Sequence, residues 1–291
     1  MVAELISNKS FQDICGESLL FKQRENTPFK EIATAHYIAF GGNSDDMHRV
    51  STAVEQLILS LDIFDDIQDN DNEEAPWRQI DSSQAINIAL WFLSSSIKQL
   101  ASLEIPGALK NIQYFSNFLS TSIEGQFLDL NNQCNTEEQY LDMCAKKSGS
   151  LVAISSLIGT SMATDQNHEI VAQYASAIGI AGQIANDSND LFCFDSKSDW
   201  RQKKKTLPII YLLENKEMGS ELIYDYLNEK ISYEHFVSRK EEVINALHDS
   251  GALIYADVVK RSYEQKAIAL IQTMPISVGN QDYLIDSLLK K

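Results

Sequence analysis

Apolar residues return at three- and four-residue steps along most of this chain. The pattern is clearest over 46–69, where Val50, Val54, Leu57, Ile58, Leu61 and Phe64 fall on one face of a helix. That stripe is core packing first, and only some of its positions are candidates for lining a cavity. The same period predicts helices over 82–103, 107–130, 136–163, 170–194 and 206–213, and through the C-terminal third. Breaks fall at Pro106, near 131–135 and near 164–168, and Thr136 with Gln139 has the spacing of a capping box. No alternating strand pattern competes. Five Pro, 12 Gly and the lack of any Ser/Gly/Pro-rich linker predict an all-α fold: one large single-domain helical bundle over 1–291 around a central cavity. The segment 195–205 is polar and mixed in charge, ends in Lys203-Lys204-Lys205, and reads as a mobile loop.

Composition narrows the function classes. A chain of 291 residues with 44% hydrophobic content can bury a sizeable core. Its net charge of -17 argues against nucleic acid, whose phosphates need a basic face, and against a broadly anionic membrane surface. Cys15, Cys134, Cys144 and Cys193 show neither Cys-x-x-Cys pairing nor a neighbouring His set, so reduced thiols fit better than zinc or disulfides. Glu4 interrupts the first apolar turn and no run nears the roughly 20 apolar residues of a membrane span, so a soluble cytoplasmic protein is expected.

Two acidic clusters carry the chemistry. Asp65-Asp66-Ile67-Gln68-Asp69 and Asn186-Asp187-Ser188-Asn189-Asp190 each lie within a helical, largely apolar stretch. Asp65 and Asp69 share a helix face, as do Asn186 and Asp190, with Asp66 and Asp187 alongside. Carboxylates gathered at one place on a helix repel each other and resist burial unless a cation neutralises them, and neither cluster contains Lys or Arg. Each cluster therefore reads as half of a Mg²⁺ site, with Asp65, Asp66, Asp69, Asn186, Asp187 and Asp190 as ligand candidates. Mg²⁺ usually shares its shell with substrate phosphates, so a diphosphate is the natural completion.

Further polar residues recur inside otherwise apolar helices: Gln126 and Asp129, Lys147, and Gln183. They predict a polar cavity lining. Lys147 and the triple lysine supply cations for a diphosphate already bridged by Mg²⁺, and the apolar remainder of the wall shelters a carbocation from water. That combination points to ionisation of an allylic diphosphate.

In this order the motifs resemble the all-α isoprenyl diphosphate synthases: an acidic motif, Gly125-Gln126-Phe127-Leu128-Asp129-Leu130, Lys147-Ser148-Gly149-Ser150-Leu151, Gly182-Gln183-Ile184 leading into the second acidic motif, and Lys204-Lys205-Thr206-Leu207-Pro208. Within them the chain is most similar to the ComQ-type isoprenyl transferases, which modify a competence pheromone precursor in quorum sensing. His36 to Gly42, Leu59 to Asp66, Asp69-Asn70-Asp71-Asn72 and Trp77 carry the narrower likeness. The resemblance implies that Asp65, Asp66 and Asp69 bind Mg²⁺ on one side and Asp187 with Asp190 on the other. It implies that Lys147, Gln183 and Lys204 contact an allylic prenyl diphosphate, geranyl or farnesyl, and that the protein is a homodimer. It also implies that the tail pocket extends past Ser60 and Leu61, about one turn before Asp65, where bulk limits prenyl tail length.

Three departures from the synthase pattern bear on the acceptor. Asn186 replaces the first aspartate of the second motif. The Gly-Gly-Lys-x-x-Arg stretch is missing between Gln23 and Glu31, with Arg24 the sole candidate survivor. The Arg-Arg-Gly after the first motif is replaced by Glu73-Glu74-Ala75-Pro76-Trp77-Arg78. Two carboxylates where an anion should dock oppose isopentenyl diphosphate, and the ComQ likeness implies a tryptophan of a small peptide as acceptor instead.

Plainer readings stand beside these. Asp62 is either support for the metal face or an ordinary hydrogen-bonded helix residue, and Glu55 either a core hydrogen-bonding group or support behind the metal. Lys146 reads as a solvated neighbour of Lys147, the five histidines as structural, and Trp77, Trp91 and Trp200 as structural or rim residues. The rival functions are an ordinary short-chain prenyl diphosphate synthase and a non-catalytic subunit of a two-protein synthase. A terpene cyclase fits less well, because Asp190 and Phe194 stand where its second motif wants Ser or Thr and Glu.

Overall fold

The computed structural model describes residues 6–25, 28–42, 47–102, 108–166, 168–194, 199–215 and 220–289, with the backbone alone for 108–111. Glu4, Asp46, Pro106, Gly107 and residues 195–198 of the polar segment, all used in the sequence reading, lie outside them. Every regular element among the described residues is helical, as the periodicity predicts. The helices are α1 (Lys9–Arg24), α2 (Phe29–Ala39), α3 (Met47–Asp69), α4 (Ser82–Ala101), α5 (Ala108–Leu130), α6 (Glu137–Cys144), α7 (Ser150–Ala163) and α8 (His168–Asp190). After them come α9 (Leu207–Glu214), α10 (Ser220–Leu227), α11 (Tyr233–Ser238), α12 (Lys240–Asp249), α13 (Ala252–Gln272) and α14 (Val278–Leu289). A 3₁₀ turn spans Pro76–Arg78, and a π-helical turn spans Ala145–Gly149. None of the described helices is long and apolar enough to cross a membrane.

The chain divides into two compact units. One comprises Met1–Phe118, Val152–Ala172 and Ile271–Lys291; the other comprises Leu119–Leu151 and Gln173–Leu270.

In the first unit α3 and α4 pair along much of their length, and small residues let them approach. Ser60 Oγ donates to the Ala89 carbonyl at 2.8 Å and Ser96 Oγ to the Ala53 carbonyl at 2.7 Å. Gln99 Nε2 donates to Gln56 Oε1 at 2.5 Å between the same helices, though Gln99 Oε1 is itself buried without a partner. Val50, Val54, Leu57 and Ile58 are buried as the stripe requires. Around Leu59, Ile63, Trp77, Ile88 and Phe92 lies a core to which α1 adds Cys15. Asn280 of α14 donates to the Ala39 carbonyl at 2.7 Å, capping the end of α2.

In the second unit one core gathers Cys134, Tyr140, Met143, Ile180, Ile184, Leu207 and Ile210. Another packs Leu191, Phe194, Trp200, Ile209, Tyr226 and Phe236. Thr136 caps α6 by accepting from the Gln139 N–H at 3.3 Å, and the Gln139 side chain accepts from the Asn135 N–H at 2.9 Å, one residue earlier than a capping box requires. Two expectations change here. The helix expected over 136–163 contains the π turn, which apolar spacing does not reveal. Residues 199–205, read as part of a mobile loop, form packed turns: Trp200 is buried, its indole N–H donates to the Leu191 carbonyl at 3.0 Å, and the Lys204 N–H donates to the Asp199 carbonyl at 2.9 Å. A tryptophan with a matched N–H anchors the backbone more strongly than the surrounding polar composition loosens it.

Phe92 is fully buried in the α3–α4 core. Phe92→Ala is expected to lower unfolding stability by about 3–5 kcal/mol, read as a shift of the denaturant midpoint at unchanged slope.

Candidate active site

The first acidic motif is the last turn of α3. Asp65, Asp66 and Asp69 are half-buried there. The chain then folds back on itself: the Asp71 N–H donates to the Asp66 carbonyl at 3.1 Å, and Asn70 and Asn72 take left-handed φ values of 55° and 54°, a conformation asparagine tolerates. This turn brings two donors to one oxygen. Trp77 Nε1 donates to Asp66 Oδ2 at 2.8 Å and Asn72 Nδ2 to the same atom at 3.0 Å. Burial pushes the Asp66 carboxyl up to about 7; these two hydrogen bonds oppose the shift, and Asp62 and Asp65 add to it. Glu73 and Glu74 are exposed on the turn.

Asp62 takes the plainer of its two readings. It pairs with the buried Lys22 of α1, which also meets Glu25 at 2.7 Å. Glu55 accepts from Gln23 Nε2 at 3.3 Å and lies 4.0 Å from Lys30, a hydrogen-bonding role towards α1 and α2. Ser60 is fully buried with its hydroxyl on the Ala89 carbonyl, which makes it part of the α3–α4 seam.

In the second unit Asp187 of α8 is buried and matched on both oxygens. Tyr140 Oη donates to Oδ2 at 2.6 Å and Gln183 Nε2 to Oδ1 at 2.6 Å. Gln183 Oε1 in turn accepts from Ser148 Oγ on the π turn. Burial raises the Asp187 carboxyl to about 7 against the help of Tyr140, and Asp199 adds to the rise. Asp190 is half-buried, whereas Asn186, the departure from the synthase pattern, is exposed.

Lys147 and Lys204 converge on one carboxylate. Their ammonium groups lie 2.7 and 3.1 Å from Asp129 Oδ2, and Lys204 is 3.6 Å from Asp199. Burial alone would raise the Asp129 carboxyl, but the two lysines outweigh it and hold the group below its ordinary range. The π turn is what carries Lys147 here, and it needs glycines around it. A Cβ on Gly125 would stand 2.2 Å from the Lys147 backbone nitrogen, and one on Gly179 would stand 2.5 Å from Gly149 Cα. Gln126 is half-buried on α5, three residues before Asp129. Lys146 points elsewhere, bridging Glu124 and Asp142 at 2.8 Å each. His36 is buried, with its ring pulled down to about 4 by burial and Nδ1 on the Ile32 carbonyl at 2.7 Å, a structural role. All four cysteines are free thiols: burial raises Cys15 to about 12 and Cys134 to about 11, and it also raises Cys144 well above its ordinary value, while Cys193 is half-buried.

Sequence reasoning missed Trp77, Asn72 and Tyr140 as partners of the motif aspartates. Tyr140 carries a faint signal, standing seven residues, two helical turns, before Lys147.

Residues 27–247 match the model of the polyprenyl synthetase family. The chain belongs to the polyprenyl synthetase family. Within it, the chain is 35% identical to the tryptophan prenyltransferase ComQ of Bacillus subtilis subsp. natto, over 82% of this chain and 74% of that protein. It is 29% identical to the ComQ of Bacillus subtilis strain 168, over 98% and 96% of the two chains. Among solved structures it resembles a polyprenyl synthase from Caulobacter crescentus complexed with calcium and isoprenyl diphosphate, with a TM-score of 0.82, 18% identity and coverage of 99% and 90%. The ComQ-type likeness read from the motifs is thus borne out, and the protein is a prenyltransferase of the polyprenyl synthetase family.

The donors offered by both motifs are carboxylate oxygens, which fit a hard cation such as Mg²⁺. Among the described residues no three His, Cys, Asp or Glu side chains are gathered as a ready-made cage. An ion held by one or two carboxylates, with water and phosphate completing its octahedron, needs none.

The raised carboxyl of Asp187 sets a sign for stability. The folded protein binds that proton more tightly than the unfolded chain between the ordinary aspartate range and about pH 7, so this group's contribution falls as pH rises through that window. Without divalent metal, the melting temperature of Asp187→Asn relative to wild type should therefore be higher at pH 8 than at pH 5. A difference independent of pH would contradict the assignment.

Proposed function

We propose that this prenyltransferase is Mg²⁺-dependent, ionises an allylic prenyl diphosphate, geranyl or farnesyl, and attaches the prenyl group to a tryptophan of a small pheromone precursor peptide used in quorum sensing and competence. Exposed Glu73 and Glu74 carry the choice of acceptor: they occupy the arginine positions of the synthase pattern, where their charge repels a second diphosphate and leaves room for an uncharged indole. The similarity to tryptophan prenyltransferases supports the same acceptor. Homodimer formation rests on the family likeness alone.

Asp65, Asp66 and Asp69 would bind Mg²⁺ at the first motif, and Asp187 with Asp190 at the second. A Mg²⁺ ion held by these carboxylates would neutralise charge building on the departing diphosphate. Lys147 and Lys204 contact the diphosphate oxygens, exchanging part of their pairing with Asp129 for the substrate. Gln183 and Gln126 supply neutral polar contacts. The allylic C–O bond breaks with its electron pair leaving on diphosphate; an indole carbon forms the new bond to the prenyl carbon, and the indole then loses a proton, for which departing diphosphate is one candidate base. The prenyl tail extends past the small Ser60, where added bulk would shorten the pocket.

Asp66→Ala is expected to lower turnover by about 10²-fold or more. Asp187→Ala should do similar damage, and Asn186→Ala less, since that amide is exposed and a weaker Mg²⁺ ligand. Equal losses at positions 186 and 187 would contradict the ranking.

The acceptor is tested by incubating the pure protein with labelled farnesyl or geranyl diphosphate and either isopentenyl diphosphate or a peptide with one accessible Trp. The peptide should gain a prenyl mass that Trp→Ala in the peptide abolishes. Efficient elongation by isopentenyl diphosphate would favour an ordinary synthase instead.

A further inference from the structure

The inner aspartates of the two motifs are held in the same chemical manner. Asp66 accepts from an indole N–H, that of Trp77, and from a primary amide, that of Asn72. Asp187 accepts from a phenol, that of Tyr140, and from a primary amide, that of Gln183. Each aromatic donor is itself buried, at 1% exposure, within a hydrophobic core of its own unit. Trp77 packs edge-on to Phe21 with ring centroids 5.4 Å apart. Tyr140 lies among Cys144, Met143 and Ile184.

A neutral donor does something a lysine cannot. It fixes the direction of a carboxylate without cancelling its charge, so the group keeps its attraction for a cation while losing its freedom to rotate. Lys22 shows the contrast one turn away: its ammonium neutralises Asp62, which is thereby spent as a ligand. The pattern of hydrogen bonds also sets how each aspartate can bind. Both donors on Asp66 take Oδ2, and none of the described residues donates to Oδ1, which leaves that atom for a single metal bond. Asp187 receives one donor on each oxygen, leaving one lone pair on each.

We propose that Trp77 and Tyr140 are positioning residues that orient Asp66 and Asp187 for divalent-cation binding, with Asn72 as the second support of Asp66. Neither aromatic ring touches the reacting atoms in this role. The inference rests on the Mg²⁺ part of the proposed function and is independent of the acceptor.

The test uses Mn²⁺ as the probe, because it takes the same octahedral oxygen coordination as Mg²⁺. Its binding to the full-length protein in the presence of inorganic pyrophosphate is measured by electron paramagnetic resonance, alongside the melting temperature. The variants are Trp77→Phe and Tyr140→Phe, which keep the aromatic packing and delete the donor, and Asn72→Ala, which leaves both hydrophobic cores intact. Each is expected to weaken Mn²⁺ binding by about 10-fold or more, to raise the Mg²⁺ concentration needed for half-maximal turnover, and to leave the KM for the acceptor unchanged. Wild-type affinity in all three variants would overturn the proposal, as would losses that follow a lowered melting temperature in every one of them. Wild-type protein that takes up no Mn²⁺ would overturn the metal reading and this inference together, whereas binding by wild type with no change in the variants overturns the positioning role alone.

Discussion

A carboxylate set into a hydrophobic core has to find donors, and much of the second unit is arranged around meeting that demand for Asp187. The Tyr140 hydroxyl and the Gln183 amide each give it a hydrogen bond of 2.6 Å. Gln183 can turn its nitrogen to Asp187 because its oxygen is already taken by Ser148. Ser148 reaches that oxygen because the backbone widens into a π turn at Ala145–Gly149, and the turn fits because Gly125 and Gly179 present no side chain to it. The same widening carries Lys147 to Asp129, where it meets Lys204. A single unmet charge would leave this interior unstable, and each neighbour's identity follows from avoiding one.

The first motif solves the same problem with a shorter stretch of chain. Asp66, Asn72 and Trp77 lie within twelve residues, joined by a turn that two left-handed asparagines permit. Trp77 serves the core with its ring and the motif with its N–H, so the packing of α1, α3 and α4 and the orientation of Asp66 are fixed by one side chain. Glu73 and Glu74, on that turn, are exposed, which is where a substitution costs the fold least.

Periodicity was a good guide to the helices because each buries one stripe, and α3, α4 and α8 begin or end within a few residues of their expected bounds. The π turn escaped because a turn one residue wider leaves the apolar spacing on either side intact. The two acidic motifs were legible because Asp-rich runs are costly in apolar helices. Their donors were not: an indole, a phenol and an amide look like ordinary core or loop residues until the fold brings them within 3 Å. Asp62 was ambiguous for the same reason, since its partner Lys22 lies forty residues earlier and nothing local announces the pair. Asn186 is a clearer case. Its exposure agrees with its chemistry, an amide where a buried carboxylate is not required.

The distribution of thiols has a practical corollary. Three of the four cysteines are sealed in cores with ionisation pushed far above neutrality, which removes the thiolate that alkylating reagents need. Cys193 alone is partly open to solvent, and its N–H rests on the Asp190 carbonyl at 3.0 Å, immediately past the second acidic motif. The wild-type polypeptide thus carries a natural attachment point for a fluorophore or spin label three residues past the second acidic motif, and movement there is open to spectroscopy without an engineered handle.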